Sequence, residues 1–185
     1  MKKVAIYGLN NDSSLASIVG FMPEVLFSVV APPNSPLANK ARLLNIDTVD
    51  EIDINTLKTY DLLLEFDIIS PRISDVETLK LHPALLPAFN TNEPLKDAYL
   101  SGVKVSGVTV YSVSRDKIIA QFPVLVENDF HFEEYVENIQ KTENLLYPIV
   151  IKSVLENRAF SFSDMMGGAS TSCSGNCGSC SGGCK

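Results

Sequence analysis

Tryptophan is absent from this 185-residue chain, histidine occurs only twice, and the first 172 residues contain no cysteine. A disulfide-framed secreted scaffold is thereby excluded, because nothing covalent staples the part that must fold. Positive charge is also sparse. The 22 acidic side chains outnumber the 15 basic ones, the net charge is −7 at pH 7, and no basic cluster is longer than Lys2-Lys3. Nucleic acid is therefore not the expected partner, since that affinity comes from neutralising phosphates with Lys and Arg. No apolar run reaches the ~18 residues that a membrane-spanning helix needs. The opening Met-Lys-Lys-Val-Ala-Ile-Tyr stops being apolar at Asn10-Asn11-Asp12 and lacks a cleavage site, so it reads as a first strand rather than a signal peptide. A soluble cytoplasmic protein without membrane contact is the expectation.

What is present is a chain long enough to bury a sizeable core, 45% hydrophobic, with short apolar runs separated by turn residues. Val4-Ala5-Ile6-Tyr7 reads as a strand ending at Gly8, followed by a polar loop and a helix over Ser14 to Val19 closed by Gly20. Val25 to Val30 is a second strand. Ser35-Pro36 opens a helix through Leu43 or Leu44, with proline in the first turn, where its missing N–H is not needed. Thr48-Val49 is a third strand, Ile54 to Tyr60 a short helix, and Leu62-Leu63-Leu64 a central strand. Strands alternating with helices and lacking period-2 patterning indicate a parallel sheet covered on both faces, a Rossmann-like α/β layer structure.

The second half differs. Leu79 to His82 is a brief strand running into Pro83, and Leu95 to Ser101 is a helix closed by Gly102. Val103 to Val113 alternates apolar and polar residues, and Lys117 to Val126 follows a tight Ser114-Arg115-Asp116 turn, which predicts an antiparallel pair. A long helix from about Phe132 to Glu156 carries Tyr135, Val136, Ile139, Leu146, Ile149, Val150 and Val154 on one stripe, with Pro148 expected to kink it. His131 lies among Glu127, Asp129, Glu133 and Glu134; a metal reading is open there, but an acidic helix start explains the carboxylates through the macrodipole.

His82-Pro83-Ala84-Leu85-Leu86-Pro87 is the most specific stretch, and it resembles the His-Pro-Ser-Leu-Leu-Pro signature of the folate-dependent formyltransferases. The similarity extends through Val108-Thr109-Val110, Ile118-Ile119-Ala120-Gln121 and Thr142-Glu143-Asn144-Leu145-Leu146-Tyr147-Pro148. Gly8 to Leu15 looks like the family's phosphate-holding loop, and Pro36 through Ile46 like its second helix. The resemblance implies a mostly parallel Rossmann-like sheet with one late antiparallel strand and helices on both faces. It also implies formyl transfer from 10-formyltetrahydrofolate to a small-molecule amine acceptor.

Such a reaction passes through a tetrahedral intermediate and needs an oxyanion stabiliser and groups that move the amine proton. The family supplies an Asn and a His two residues apart on one strand, where period 2 points both to one face, plus an Asp from a following loop. By resemblance, His82 holds the His position, Lys80 stands where the Asn should be, and Asp116 is the candidate for the third group. Lys can still donate to an oxyanion, but its charge lowers the pKa of His82. The Asp116 hairpin is shorter than the family's loop, and the family's Pro-Gly-x-His stretch reads Asn90-Thr91-Asn92-Glu93 here. Glu65-Phe66-Asp67-Ile68-Ile69 matches the segment that lines the pterin pocket, with Asp67 where Gly is usual. Glu143 keeps the carboxylate that the family's glycinamide enzymes use on the substrate amine. Ser13 and Ser14 are candidates for holding a phosphate, or for a plain helix N-cap.

The residues divide into a formyltransferase-like unit over 1–163 and a Gly/Ser/Cys-rich tail over 164–185. Six of the ten glycines and all four cysteines lie in that tail. Cys173-x3-Cys177-x2-Cys180-x3-Cys184 can wrap one tetrahedral zinc or one 4Fe–4S cluster, the cluster being the first expectation. The first three also match the radical-SAM spacing, but the chain is too short for that barrel. Redox chemistry, a ligand-free tail, or a modified peptide released at Gly167-Gly168 are the other readings. The tail opens a competing function: a repurposed, non-catalytic scaffold that carries metal and meets a protein partner receiving or supplying the metal centre.

Overall fold

The computed structural model describes residues 1–10, 13–73, 75–127 and 131–162. The four cysteines and the boundary expected after residue 163 lie outside the described residues. β1 (Lys3–Tyr7), β2 (Leu26–Val30), β3 (Asp47–Val49), β4 (Leu62–Glu65) and β5 (Glu77–His82) are parallel. β6 (Val105–Ser112) runs against both β5 and β7 (Lys117–Leu125), giving one seven-stranded sheet in the order β3-β2-β1-β4-β5-β6-β7. This is the Rossmann-like sheet with one late antiparallel strand that the sequence predicts.

The helices are α1 (Leu15–Phe21), α2 (Pro36–Leu43), α3 (Ile54–Leu57), α4 (Pro94–Leu100) and α5 (Phe132–Leu155). α2 starts as expected, with Ser35 Oγ accepting from the Ala38 N–H at 3.1 Å and Pro36 in its first turn. Along β1, Val4 and Ile6 enter the larger core, while Ala5 and Tyr7 enter a smaller one. The period-2 alternation of a strand therefore splits its burial between two faces. The larger core holds side chains of α1, α2, α4 and α5; α3 contributes Leu57 to the smaller one. α3 ends at Leu57 rather than Tyr60, because the chain turns there and Tyr60 reaches back to hydrogen-bond Ser28 at 3.0 Å.

α5 is one continuous helix with Pro148 inside it, as the sequence predicts. The proline is buried, and the packing of Tyr147, Val150 and Ile151 in the core holds the segment helical although one main-chain donor is lost. β5 extends two residues further back than its apolar run, to Glu77, because Glu77 and Thr78 pair with β4. No helix among the described residues is long and apolar enough to cross a membrane.

Candidate active site

The sheet order reverses between β1 and β4, so the loops leaving these strands diverge and open a crevice at their C-terminal ends. A cleft of about 820 Å³ lies there, reaching Asn10 and Ser13 after β1, Glu65 to Ile69 after β4, Lys80 and His82 at the end of β5, and Glu143 on α5. Tyr111, Val113 and Phe132 complete a wall of mixed polar and apolar character.

His82 is only 3% exposed. Burial first, and the Lys80 charge second, pull its pKa down to about 4, against a smaller opposing effect of the Phe89 carbonyl. The imidazole is therefore neutral at pH 7. Its Nε2 lies 3.1 Å from the Phe89 carbonyl oxygen, which can only accept, so Nε2 carries the proton and Nδ1 keeps a lone pair. Lys80, two residues back, lies across from Tyr111 in the register and places Nζ 3.5 Å from Asn90 Oδ1.

The loop after His82 is tied down from β6 and β7. Thr109, opposite His82, donates its hydroxyl to the Ala84 carbonyl at 2.6 Å and accepts from the Leu86 N–H at 3.1 Å. Gln121 Nε2 donates to the Leu86 carbonyl at 2.8 Å and to Thr109 Oγ1 at 3.1 Å. The hydroxyl thus uses its one proton and both lone pairs. These two residues belong to the motif segments noted above, but nothing in their spacing reveals that they grip the histidine loop.

Glu143 lies within the core-facing side of α5 at 3% exposure. Ser13 and Ser14 donate their hydroxyls to Oε2 at 3.3 and 3.4 Å, and Tyr147 donates to Oε1 at 3.4 Å. These long contacts do not offset desolvation, and burial raises the carboxyl pKa to about 7. Tyr147 is itself pushed well above its ordinary range, by burial first and then by the Glu143 charge, so it stays a donor. Ser14 occupies the N-cap position of α1, but its side chain does not cap the helix: the hydroxyl is drawn to Glu143 instead. The structure thus brings Ser13, Ser14 and Glu143 into one cluster.

Asp116 is placed elsewhere. It sits exposed at the β6–β7 turn with φ 51° and is not part of the cleft wall. Its carboxylate accepts a short hydrogen bond from the Tyr111 hydroxyl, which lines the cleft and whose pKa this bond raises. The hairpin is short: β7 begins at Lys117, directly after Asp116.

Two further carboxylates shape the segment after β4. Glu65, buried at 3% exposure, accepts from the Ser70 N–H and Oγ at 2.7 and 2.8 Å and pairs with the Arg72 guanidinium. Asp67 accepts from the Leu9 N–H at 2.5 Å and the Asn10 N–H at 2.8 Å. At the start of α5, the His131 N–H donates to Glu134 Oε2 at 2.9 Å, a helix-start contact. Among the described residues no group of three or more His, Cys, Asp or Glu side chains could hold a metal ion. Asp129 and the four cysteines are outside that set.

A mixed α/β sheet of this order with a histidine-bearing cleft at its switch point defines a Rossmann-like α/β architecture. Residues 36–151 match the formyl transferase family model, and the chain belongs to that family. The phosphoribosylglycinamide formyltransferase of Bacillus subtilis is 25% identical over 188 residues, covering 84% of this chain and 95% of that protein. The solved phosphoribosylglycinamide formyltransferase of Streptococcus pneumoniae aligns with a TM-score of 0.72 at 26% identity, over 83% of this chain and 99% of that one. A formyltetrahydrofolate deformylase from Pseudomonas syringae shares the fold, with a TM-score of 0.71 at 19% identity over 86% of this chain and 63% of that one. Formyl transfer is thus the general chemistry of the family to which the chain belongs.

Proposed function

We propose that the chain transfers the formyl group of 10-formyltetrahydrofolate to an amine. The observation that carries this reading is the presence in one cleft of two buried groups poised for proton movement, neutral His82 and near-neutral Glu143. The acceptor amine attacks the formyl carbon, the carbonyl oxygen becomes an oxyanion, and a new C–N bond forms. Lys80 supplies positive charge and a donor for that oxygen. Glu143 holds the acceptor's ammonium and takes its proton once ionised, and the Nδ1 lone pair of His82 receives and passes on a proton. Collapse then breaks the bond from the formyl carbon to the folate nitrogen, which leaves with a proton. Asp116 acts here through Tyr111, as a positioning residue rather than on the reacting atoms. Ser13 and Ser14 serve the acceptor by orienting Glu143.

The apolar side of the cleft, with Phe66, Ile68, Val113 and Phe132, supports docking of a flat heterocycle. A folate analogue titrated into the full chain is expected to bind saturably, and His82→Ala to abolish transfer. Absence of binding by a folded protein, with His82→Ala harmless, overturns the reading in favour of a repurposed scaffold. The tail is proposed, on its spacing alone, to hold a 4Fe–4S cluster or zinc for exchange with a protein partner. Iron, sulfide and zinc analysis after anaerobic purification tests this, and a metal-free product contradicts it.

A further inference from the structure

The crevice between β1 and β4 is bridged from within. The Leu9 and Asn10 amides that leave β1 point to the same place, and the carboxylate of Asp67 fills it with one oxygen on each N–H, at 2.5 and 2.8 Å. Two convergent main-chain donors are how a fold grips an external anion. Here the anion belongs to the protein.

The seat is fixed rather than loose. The Gly8 N–H donates to the Val30 carbonyl at 3.3 Å, and the Leu9 carbonyl accepts from the Leu37 N–H at 3.1 Å, so both sides of the turn are anchored. A Cβ on Gly8 would lie 2.7 Å from Leu37 Cδ2 and 3.1 Å from Asp67 Oδ1, so the strand end is packed against the carboxylate. Among the described residues that follow, the Ser13 and Ser14 hydroxyls give hydrogen bonds to Glu143. Two of the cleft's cations are paired with carboxylates, Arg72 with Glu65 and Lys96 with Glu93 at 3.1 Å, while Lys80 faces the reacting end beside His82. A phosphate arriving at this end of the cleft would meet two carboxylates, Asp67 already on the Leu9 and Asn10 amides and Glu143 on the Ser13 and Ser14 hydroxyls.

We infer that Asp67 is a specificity-determining residue, standing in for an acceptor phosphate, so that the amine formylated here is neutral or cationic and carries no phosphate at that end. This rests on the formyl-transfer reading for the word acceptor; the occupation of the Leu9 and Asn10 amides by Asp67 does not. The probe is inorganic phosphate added to isotopically labelled full chain, read at the Leu9 and Asn10 amide resonances. The wild type is expected to show no saturable shift, and Asp67→Gly to bind phosphate at least about tenfold more tightly, as removal of one competing charge-assisted anion predicts. Asp67→Ser is the second variant if glycine disturbs the fold, and unchanged resonances elsewhere report folding.

Transfer is then compared for ethanolamine and O-phosphoethanolamine. The wild type is expected to prefer the former, and the variant to shift the ratio about tenfold toward the latter. Saturable phosphate binding at Leu9 and Asn10 in the wild type, or equally weak binding in folded variants, overturns the inference. Loss of folate binding with the phosphate result intact instead defeats the formyl-transfer reading alone.

Discussion

Glu143→Gln isolates the most unusual charge in the cleft. In the folded chain the carboxyl titrates near 7 because burial outweighs three long hydrogen bonds. A rise from an ordinary 4.5 to about 7 amounts to about 3 kcal/mol at roughly 1.4 kcal/mol per pH unit. The sign follows from proton uptake. Below about pH 4.5 both folded and unfolded chains hold the proton; between there and about 7 only the folded chain does, so stability falls as pH rises. Above that window the folded chain carries the full penalty of a buried charge. Gln keeps the shape and an acceptor oxygen but cannot ionise.

Urea unfolding of the wild type and Glu143→Gln at pH 5 and pH 8.5 measures the effect, since other groups titrate alike in both and cancel. The stability difference should move about 2–3 kcal/mol in favour of Gln on going to the higher pH. A constant difference, or a wild type that gains relative to Gln with rising pH, would show that the carboxylate is ionised and well satisfied, and would refute the reasoning.

Three other perturbations follow from the same geometry. His82→Asn should lower kcat about 10²–10⁴-fold with far-UV circular dichroism unchanged, and the wild-type rate should show no titration of this histidine above pH 5. Thr109→Val leaves the Leu86 N–H without its acceptor and the Ala84 carbonyl without its donor, so urea unfolding should show a loss of about 1–3 kcal/mol together with a raised KM. Gly107→Ala places a Cβ 2.2 Å from the Phe122 carbonyl and 2.7 Å from Leu85 Cδ2; thermal unfolding should fall by several degrees, corresponding to at least about 1–3 kcal/mol.

The parts legible in the sequence are those set by short-range pattern. Apolar runs placed the strands, Ser35-Pro36 marked the start of α2, the alternation of β6 and β7 around Asp116 predicted their antiparallel pairing, and the His82-Pro83 stretch pointed to the family. What stayed hidden depends on distant partners. Ser13 meets Glu143 across 130 residues, and Leu9 meets Asp67 across 58, so neither carboxylate's partner can be found by spacing. Of the two readings open for Ser14, the plain N-cap is not realised by its side chain, because a buried carboxyl far along the chain takes the hydroxyl. Asp116 is the one acidic residue in the expected loop, and its contact with the Tyr111 hydroxyl, five residues back on the adjoining strand, is not visible in the sequence.

The account stands most directly on whether the cleft binds a formyl-folate. Calorimetric titration of the full chain with a non-transferable 10-formyltetrahydrofolate analogue is predicted to give saturable one-to-one binding, with NMR shifts at His82 and along Phe66 to Ile69. A folded protein that releases no heat and shows no shift at these residues would contradict it.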